Sequence, residues 1–278
     1  MLEVDVYDFG DSIESEYKFP GRYGAKGEKR AKRRKATPEQ VKRQNQWKRE
    51  TKVRRLIKAN FRPGDLWETL KYPKGTRKPF ADVVDDMTEF LKQMRAEYRK
   101  RGYPFKWINR IEIGGRGGIH MHIILNRLPG EPATDLVIQR IWEGIAQGRV
   151  NHQNLYAAGG YKDLAKYLTK QPDEEQEKQL SFYGPQEREK MIRYSSSRNL
   201  IRPQPRKKKS HWRTMRRMIK DGIEPREGYY IDPESVYYGV NPFNGTTYLK
   251  YTECRLGTRD GTAKPIIPEW QEWPEGGT

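Results

Sequence analysis

The chain has 278 residues, with 55 Lys and Arg against 37 Asp and Glu, for a formal net charge of +18. Its hydrophobic fraction of 34% and mean hydropathy of −1.06 place part of it outside any core. No run of about 18 apolar residues exists, which excludes a helical membrane span, and the single Cys254 excludes a disulfide framework or a Cys-based zinc finger.

Residues 1–20 read as an extended tail or edge strand, and the acidic start MLEVDVYDFG lacks the apolar stretch of a secretory signal. Thr37, Pro38 and Gln40 are spaced for a capping box that opens a helix running to about Asn60. Residues 65–72 have strand composition. Residues 80–101 form an amphipathic helix, with Val83, Val84, Met87, Phe90, Leu91 and Met94 at helical spacing and Gly102 as its stop. Two strands follow, 105–114 and 119–127, with the glycine-rich turn 115–118 between them. Thr134 caps a helix that ends near Gly148. Residues 150–157 are a short strand, and Gly159-Gly160 precede a helix to about Gln171. Residues 172–190 are acidic and Gln-rich, a linker or exposed helix. Asn244-Gly245 lies between β-formers in 228–256 and predicts a hairpin. The last twenty residues read as a mobile tail. The order β-α-β-β-α-β-α over 65–171 predicts an α+β class, a central antiparallel sheet backed by helices of split βαβ pattern, with basic helical arms.

Charge divides the chain further. Residues 21–60 carry a net +13 and residues 198–220 a net +10, which leaves the other 215 residues at −5. This is a slightly acidic body with two basic arms. Such arms suit a polyanion, and nucleic acid is the simplest. Counterion release would make their binding nonspecific in sequence and steep in salt. The expected division is a basic N-terminal arm with a helix over 1–62, a central domain over 63–200, and a basic segment with a small Tyr-rich hairpin and tail over 201–278.

Two of the four histidines, His120 and His122, share one strand face. Ile119, Met121, Ile123 and Leu125 take the other. On the preceding strand Ile111 and Ile113 face the apolar side and Glu112 the opposite one. Directly paired residues share a face, so Glu112 opposes either His120 or His122, across an odd-length turn such as 115–117 or 116–118. Two imidazoles and a carboxylate can bind a divalent ion and leave positions open for a phosphoryl oxygen. The alternative is two histidines packed on a sheet face without an ion.

Farther on, Tyr161, Leu164, Ala165 and Leu168 form one apolar helix stripe. Tyr161 reads as core. Tyr167 lies at the stripe's edge, about 110° away at helical pitch, with Lys170 three residues on, where side chains meet. A phenol is a poor nucleophile near neutral pH without help. A nearby ammonium favours its phenolate or a charged phosphate.

These residues resemble the HUH endonucleases, specifically single-tyrosine rolling-circle replication initiators. The His-apolar-His triplet is His120-Met121-His122, the upstream acidic ligand is Glu112, and the YxxK helix is Tyr167 to Lys170. The surrounding GxRGxxHxH and AKYLTK wording is similar to plasmid and phage initiators. The likeness spans residues 65–171, and extends in part to the N-terminal arm and to RYSSSRNL (193–200). The family's first motif, an apolar strand around a Thr, is sought in WETLK (67–71). Glu68 and Lys71 depart from it, and no role is assigned there. Asp163 stands where two-tyrosine initiators carry their other tyrosine.

The resemblance implies an HUH/RRM-like palm over 63–200. It implies a divalent ion, Mg²⁺ or Mn²⁺, on Glu112, His120 and His122. Tyr167 would attack the scissile phosphate to leave a 5′-phosphotyrosine and a free 3′-hydroxyl, with Lys170 orienting or neutralising the phosphate. Arg116 in the turn is a DNA contact or a plain exposed arginine. The implied partners are single-stranded or hairpin origin DNA, with a separate helicase and polymerase, since no Gly-Lys pair and so no P-loop occurs. The implied setting is the cytoplasm of a prokaryote hosting a mobile element. Two other readings remain: a Y1-type transposase or relaxase with the same chemistry, or a non-enzymatic basic nucleic-acid-binding module.

Overall fold

Apolar spacing of 3.6 over residues 80–100 and of two over residues 107–113 gives a helix and a strand, as those periods dictate. The structure is a computed structural model that describes residues 2–19, 35–156, 158–210, 215–241 and 243–256. In chain order the elements are β1 (Glu3–Asp8), β2 (Ser12–Lys18), α1 (Pro38–Asn60), β3 (Leu66–Lys71), α2 (Phe80–Lys100), β4 (Trp107–Ile113), β5 (Ile119–Leu125), α3 (Thr134–Ala146) and β6 (Arg149–Asn154). There follow α4 (Lys162–Thr169), α5 (Glu174–Leu180), α6 (Pro185–Ile192), β7 (Tyr194–Ser196), β8 (Arg206–Lys209), α7 (Arg216–Asp221), β9 (Tyr229–Ile231), β10 (Tyr237–Val240) and β11 (Thr247–Arg255). The class is α+β as expected, with two antiparallel sheets where the sequence predicts one central sheet.

The chain divides into two compact units, one of Lys42–Arg202 and one joining Met1–Val41 to Pro203–Thr278. The first holds a five-stranded sheet in the order β6-β3-β5-β4-β7. One face packs on α2 and α3 through Leu70, Met121, Ile123, Phe90, Met94 and Trp142. Ile108 and Ile124 on the other face meet Val53, Leu56 and Ile57 of α1 and Ala165 and Leu168 of α4. The HMH strand lies third of the five, with helices on both sides.

The glycine turn sets the register that matters. Gly114 N–H donates to the Gly118 carbonyl at 2.8 Å, leaving a three-residue loop 115–117. Gly117 sits at φ +75°, the left-handed position that such a loop needs. Of the two registers open on the sequence, this one pairs Glu112 with His120, and Arg110 with His122.

Helix α1 opens on the expected capping box: Gln40 N–H donates to Thr37 Oγ1 at 3.3 Å, and Thr37 N–H to Gln40 Oε1 at 3.0 Å. Thr134 does not cap α3 as expected. Ala133 holds the cap position, and Thr134 Oγ1, buried, accepts instead from Leu128 N–H at 2.8 Å. Helix α4 is shorter than expected, because a 3₁₀ turn over Ala158–Tyr161 precedes it and Tyr161 sits at φ 62°. Residues 172–190 form two short helices, α5 and α6, rather than a linker.

The second unit corrects the reading of residues 1–20. They form the antiparallel hairpin β1–β2, interior to a sheet ordered β10-β11-β2-β1-β8, with β9 on β11. Strands from residues 3–18 and from 206–255 join in this sheet. Glu3 pairs with Lys209 and Asp5 with Lys207, an acidic strand against a basic one. Met218 and Ile219 of α7 join Leu2, Phe19 and Leu249 in this unit's core. The hairpin predicted within 228–256 is β10–β11. The tail, residues 21–34 of the first basic arm and residues 211–214 of the second lie outside the described residues. No described helix is long and apolar enough to cross a membrane.

Candidate active site

Strand alternation places Glu112 of β4 and both His120 and His122 of β5 on the sheet face that α4 covers. Their ligand atoms all lie within 4.8 Å of one another, and among the described residues no other group of three or more His, Cys, Asp or Glu has that geometry. His122 Nε2 is 3.3 Å and His120 Nε2 3.6 Å from Glu112 Oε2. Glu112 and His122 are buried, and His120 is half-buried.

Tyr167 reaches this cluster from α4. Its hydroxyl donates to Glu112 Oε2 at 2.8 Å and stands 2.8 Å from His122 Nε2. Lys170, just past the end of α4, pairs through Nζ with Glu112 Oε1 and lies 4.8 Å from the centre of the Tyr167 ring. All five residues the sequence singled out for metal and catalysis therefore meet at one place. Arg116 stands apart from these contacts. Its side chain is exposed at the hairpin tip, and its carbonyl accepts from Arg77 Nη2 at 2.6 Å.

Three supporting residues escaped the sequence reading. Thr69 of β3 pairs with His122 in register, and its Oγ1 lies 3.1 Å from His122 Nδ1. Trp67, on the same face of β3, stacks on the His122 ring at 5.2 Å and 11°, and meets Tyr167 edge-on at 5.8 Å. Gln176 of α5 donates from Nε2 to Glu112 Oε1 at 2.8 Å and to the Ile113 carbonyl at 3.0 Å. The signal for Thr69 and Trp67 was their two-residue spacing in WETLK, on the strand where the family's first motif was sought. For Gln176 the signal was faint: Asp173 and Gln176 have capping-box spacing, and both bonds of that box form.

Electrostatics suits a cation at this place. Burial pushes the Glu112 carboxyl up. Hydrogen bonds from His120, His122, Lys170 and Gln176 outweigh it and hold the group well below the usual carboxylate range. Burial pushes His122 down, toward the neutral imidazole that ligates metals. Burial, and then the bond to Glu112, push the Tyr167 phenol above its ordinary value. A phenol so protected needs an added positive charge to become a nucleophile. One ionised carboxylate and two imidazoles, one of them oriented by Thr69, are a donor set for a divalent ion with positions left open. The residues present fit such an ion.

Residues 65–172 match the model of a family of replication-associated proteins, the ORF2 type. The matched span runs from the start of β3 past the end of α4 and contains the whole cluster. This likeness is consistent with a Rep-type replication initiator and with DNA as its partner. No curated protein and no solved structure matches the chain.

Proposed function

We propose that this chain is a single-tyrosine HUH endonuclease that initiates rolling-circle replication by nicking and rejoining single-stranded origin DNA. The observation that carries the reading is the Tyr167 hydroxyl, 2.8 Å from both Glu112 Oε2 and His122 Nε2. The contacts of its ring with Trp67 and His122 account for the ring's packing, and the placing of its hydroxyl against two of the three cluster residues is what supports a chemical role.

Glu112, His120 and His122 would hold Mg²⁺ or Mn²⁺. Bound there, the ion supplies Lewis-acid polarisation of a phosphoryl oxygen. Tyr167 gives up its proton to solvent, and its oxygen forms the new bond to phosphorus as the bond from phosphorus to the 3′-oxygen, in line with it, breaks. That oxygen takes up a proton and becomes a 3′-hydroxyl able to prime synthesis. The 5′-phosphotyrosine keeps the energy of the broken phosphodiester, so the reverse attack rejoins a strand. Lys170 Nζ, paired with Glu112, lies 4.8 Å from the centre of the Tyr167 ring, and its charge would offset that of a transition state at Tyr167. Trp67 and His122 wall the phenol and limit the directions from which a phosphate enters.

The test is a single strand carrying an origin-like sequence, incubated with the full chain and Mn²⁺. A protein–DNA adduct that survives boiling in detergent is expected. Tyr167→Phe should abolish it and leave strand binding intact. An undiminished adduct from that variant would remove Tyr167 as nucleophile, and no adduct from the wild-type chain on any origin-like strand would overturn the nuclease reading.

A further inference from the structure

Arg110 has no part in the chemistry above, yet it is one of the largest fully buried side chains in the chain, with 2% of its surface exposed. It lies on β4 two residues before Glu112, on the same face, and opposite His122. Its Nη1 donates to the Tyr167 carbonyl at 3.2 Å and to the Lys170 carbonyl at 3.0 Å. Burying a guanidinium is costly, and an apolar side chain of similar length would fill the space at less expense. The charge needs a purpose beyond packing.

Helix α4 supplies one. It has eight residues, too short to hold its own position without tertiary contacts. Its last carbonyls form the negative end of the helix dipole, and that of Tyr167 takes only a long backbone bond, 3.4 Å, from Lys170 N–H at the cap. Arg110 meets two carbonyls there, and Gln46 of α1 donates to a third, that of Thr169, at 2.9 Å. One strand thus grips Tyr167 twice. Arg110 holds its backbone carbonyl, and Glu112 accepts from its hydroxyl.

We propose that Arg110 is a positioning residue, clamping the end of α4 so that the Tyr167 oxygen is held in line with a phosphate at the Glu-His-His cluster. The proposal rests on the reading of Tyr167 as nucleophile. Apolar contacts of Ala165 and Leu168 anchor one side of α4 on the sheet. They fix which face of α4 meets the sheet, and the hydrogen bonds from Arg110 to the Tyr167 carbonyl and to that of Lys170 just beyond fix where its C-terminal end lies.

The full chain with 3-fluorotyrosine at position 167, as wild type, Arg110→Met and Arg110→Lys, separates the possibilities. In Arg110→Met the single-turnover rate of adduct formation should fall about 10²-fold while strand affinity stays within about twofold, the mark of lost alignment rather than lost binding. Its fluorine resonance should broaden or split, where the wild type gives one sharp line. Arg110→Lys keeps the charge and reaches one carbonyl, so it should recover part of both rate and line shape. A folded Arg110→Met with unchanged rate and line overturns the proposal, as does an unchanged line with rate and affinity lost together. If Arg110→Met does not fold, Arg110→Lys decides alone: full rate with an unaltered line overturns the clamp. If the wild-type chain forms no adduct, the nuclease reading fails, and the fluorine line still decides whether Arg110 fixes the phenol.

Discussion

Thr69 and His122 face each other across β3 and β5, with Thr69 Oγ1 3.1 Å from His122 Nδ1. The contact leaves Nε2 directed at Glu112 and Tyr167, because a ring nitrogen engaged by the hydroxyl fixes which nitrogen points inward. Thr69→Val keeps the branched shape that suits a strand and removes only the hydroxyl. It should lower divalent-ion affinity by about tenfold, read by titration calorimetry, with a thermal midpoint close to wild type. Nitrogen-15 spectra of the imidazoles should show His122 turning from one tautomer to a mixture. Unchanged affinity and a single tautomer in the variant would leave Thr69 as ordinary packing.

Gln176 performs the matching task for the carboxylate. Its Nε2 bridges Glu112 Oε1 and the Ile113 carbonyl, while its Oε1 accepts from Asp173 N–H at 3.2 Å as part of the α5 cap. Gln176→Met fills the same volume without either amide group. Ion affinity should drop about tenfold through the freed carboxylate, and the lost cap bond should cost about 1 kcal/mol of stability. Calorimetric titration and thermal unfolding on the same sample separate the two effects. A stability loss with full ion affinity would confine Gln176 to capping.

The β4–β5 hairpin was legible in the sequence because alternation fixes faces: apolar positions to one side force Glu112, His120 and His122 to the other. Only the register was open, and the turn closed it. The meeting of Tyr167 with His122, 45 residues apart, was not visible to any local pattern and was reached through the resemblance. Arg110 and Thr69 were missed because a single polar residue in a strand does not reveal what faces it. The sheet of the second unit was missed for another reason. SIESEYK alternates, but its polar positions Glu14 and Glu16 look solvated, and Glu14 is in fact buried at 3% exposure. Pairings such as Glu3 with Lys209 join residues some two hundred positions apart, beyond the reach of local periodicity.

Glu68 gives the first unit a pH dependence. This carboxyl is fully buried on the face of β3 that packs on α2 and α3, with Oε2 2.6 Å from His152 Nδ1. Burial, and then Asp135, push its pKa up to about 8, and Arg127 acts the other way. The folded chain therefore keeps a proton that the unfolded chain releases from about pH 4.5 upward. The sign follows: stability is present at low pH and is lost as pH rises through about 8, by on the order of a few kcal/mol. Glu68→Gln, which has no proton to lose, should match wild type near pH 5 and exceed it near pH 8. Thermal midpoints measured across that range check this, and parallel curves for the two proteins would refute it.

The basic helix α1 can be tested only by substitution. Deleting residues 21–60 would remove Val53, Leu56 and Ile57, which pack on the sheet face beside α4, and would damage the site for reasons unrelated to charge. The exposed cations Lys42, Arg43, Lys48, Arg49 and Lys52 lie off that buried stripe and can be changed to Gln without touching it. For each phosphate that such a change releases, the log–log dependence of single-strand affinity on salt should flatten by about 0.7. If three of the five touch phosphate, the slope should fall by about 2, while adduct formation at saturating DNA keeps its rate. Binding measured from low to moderate salt gives the slope directly. An unchanged slope would mean that α1 serves the fold and that the phosphates run elsewhere.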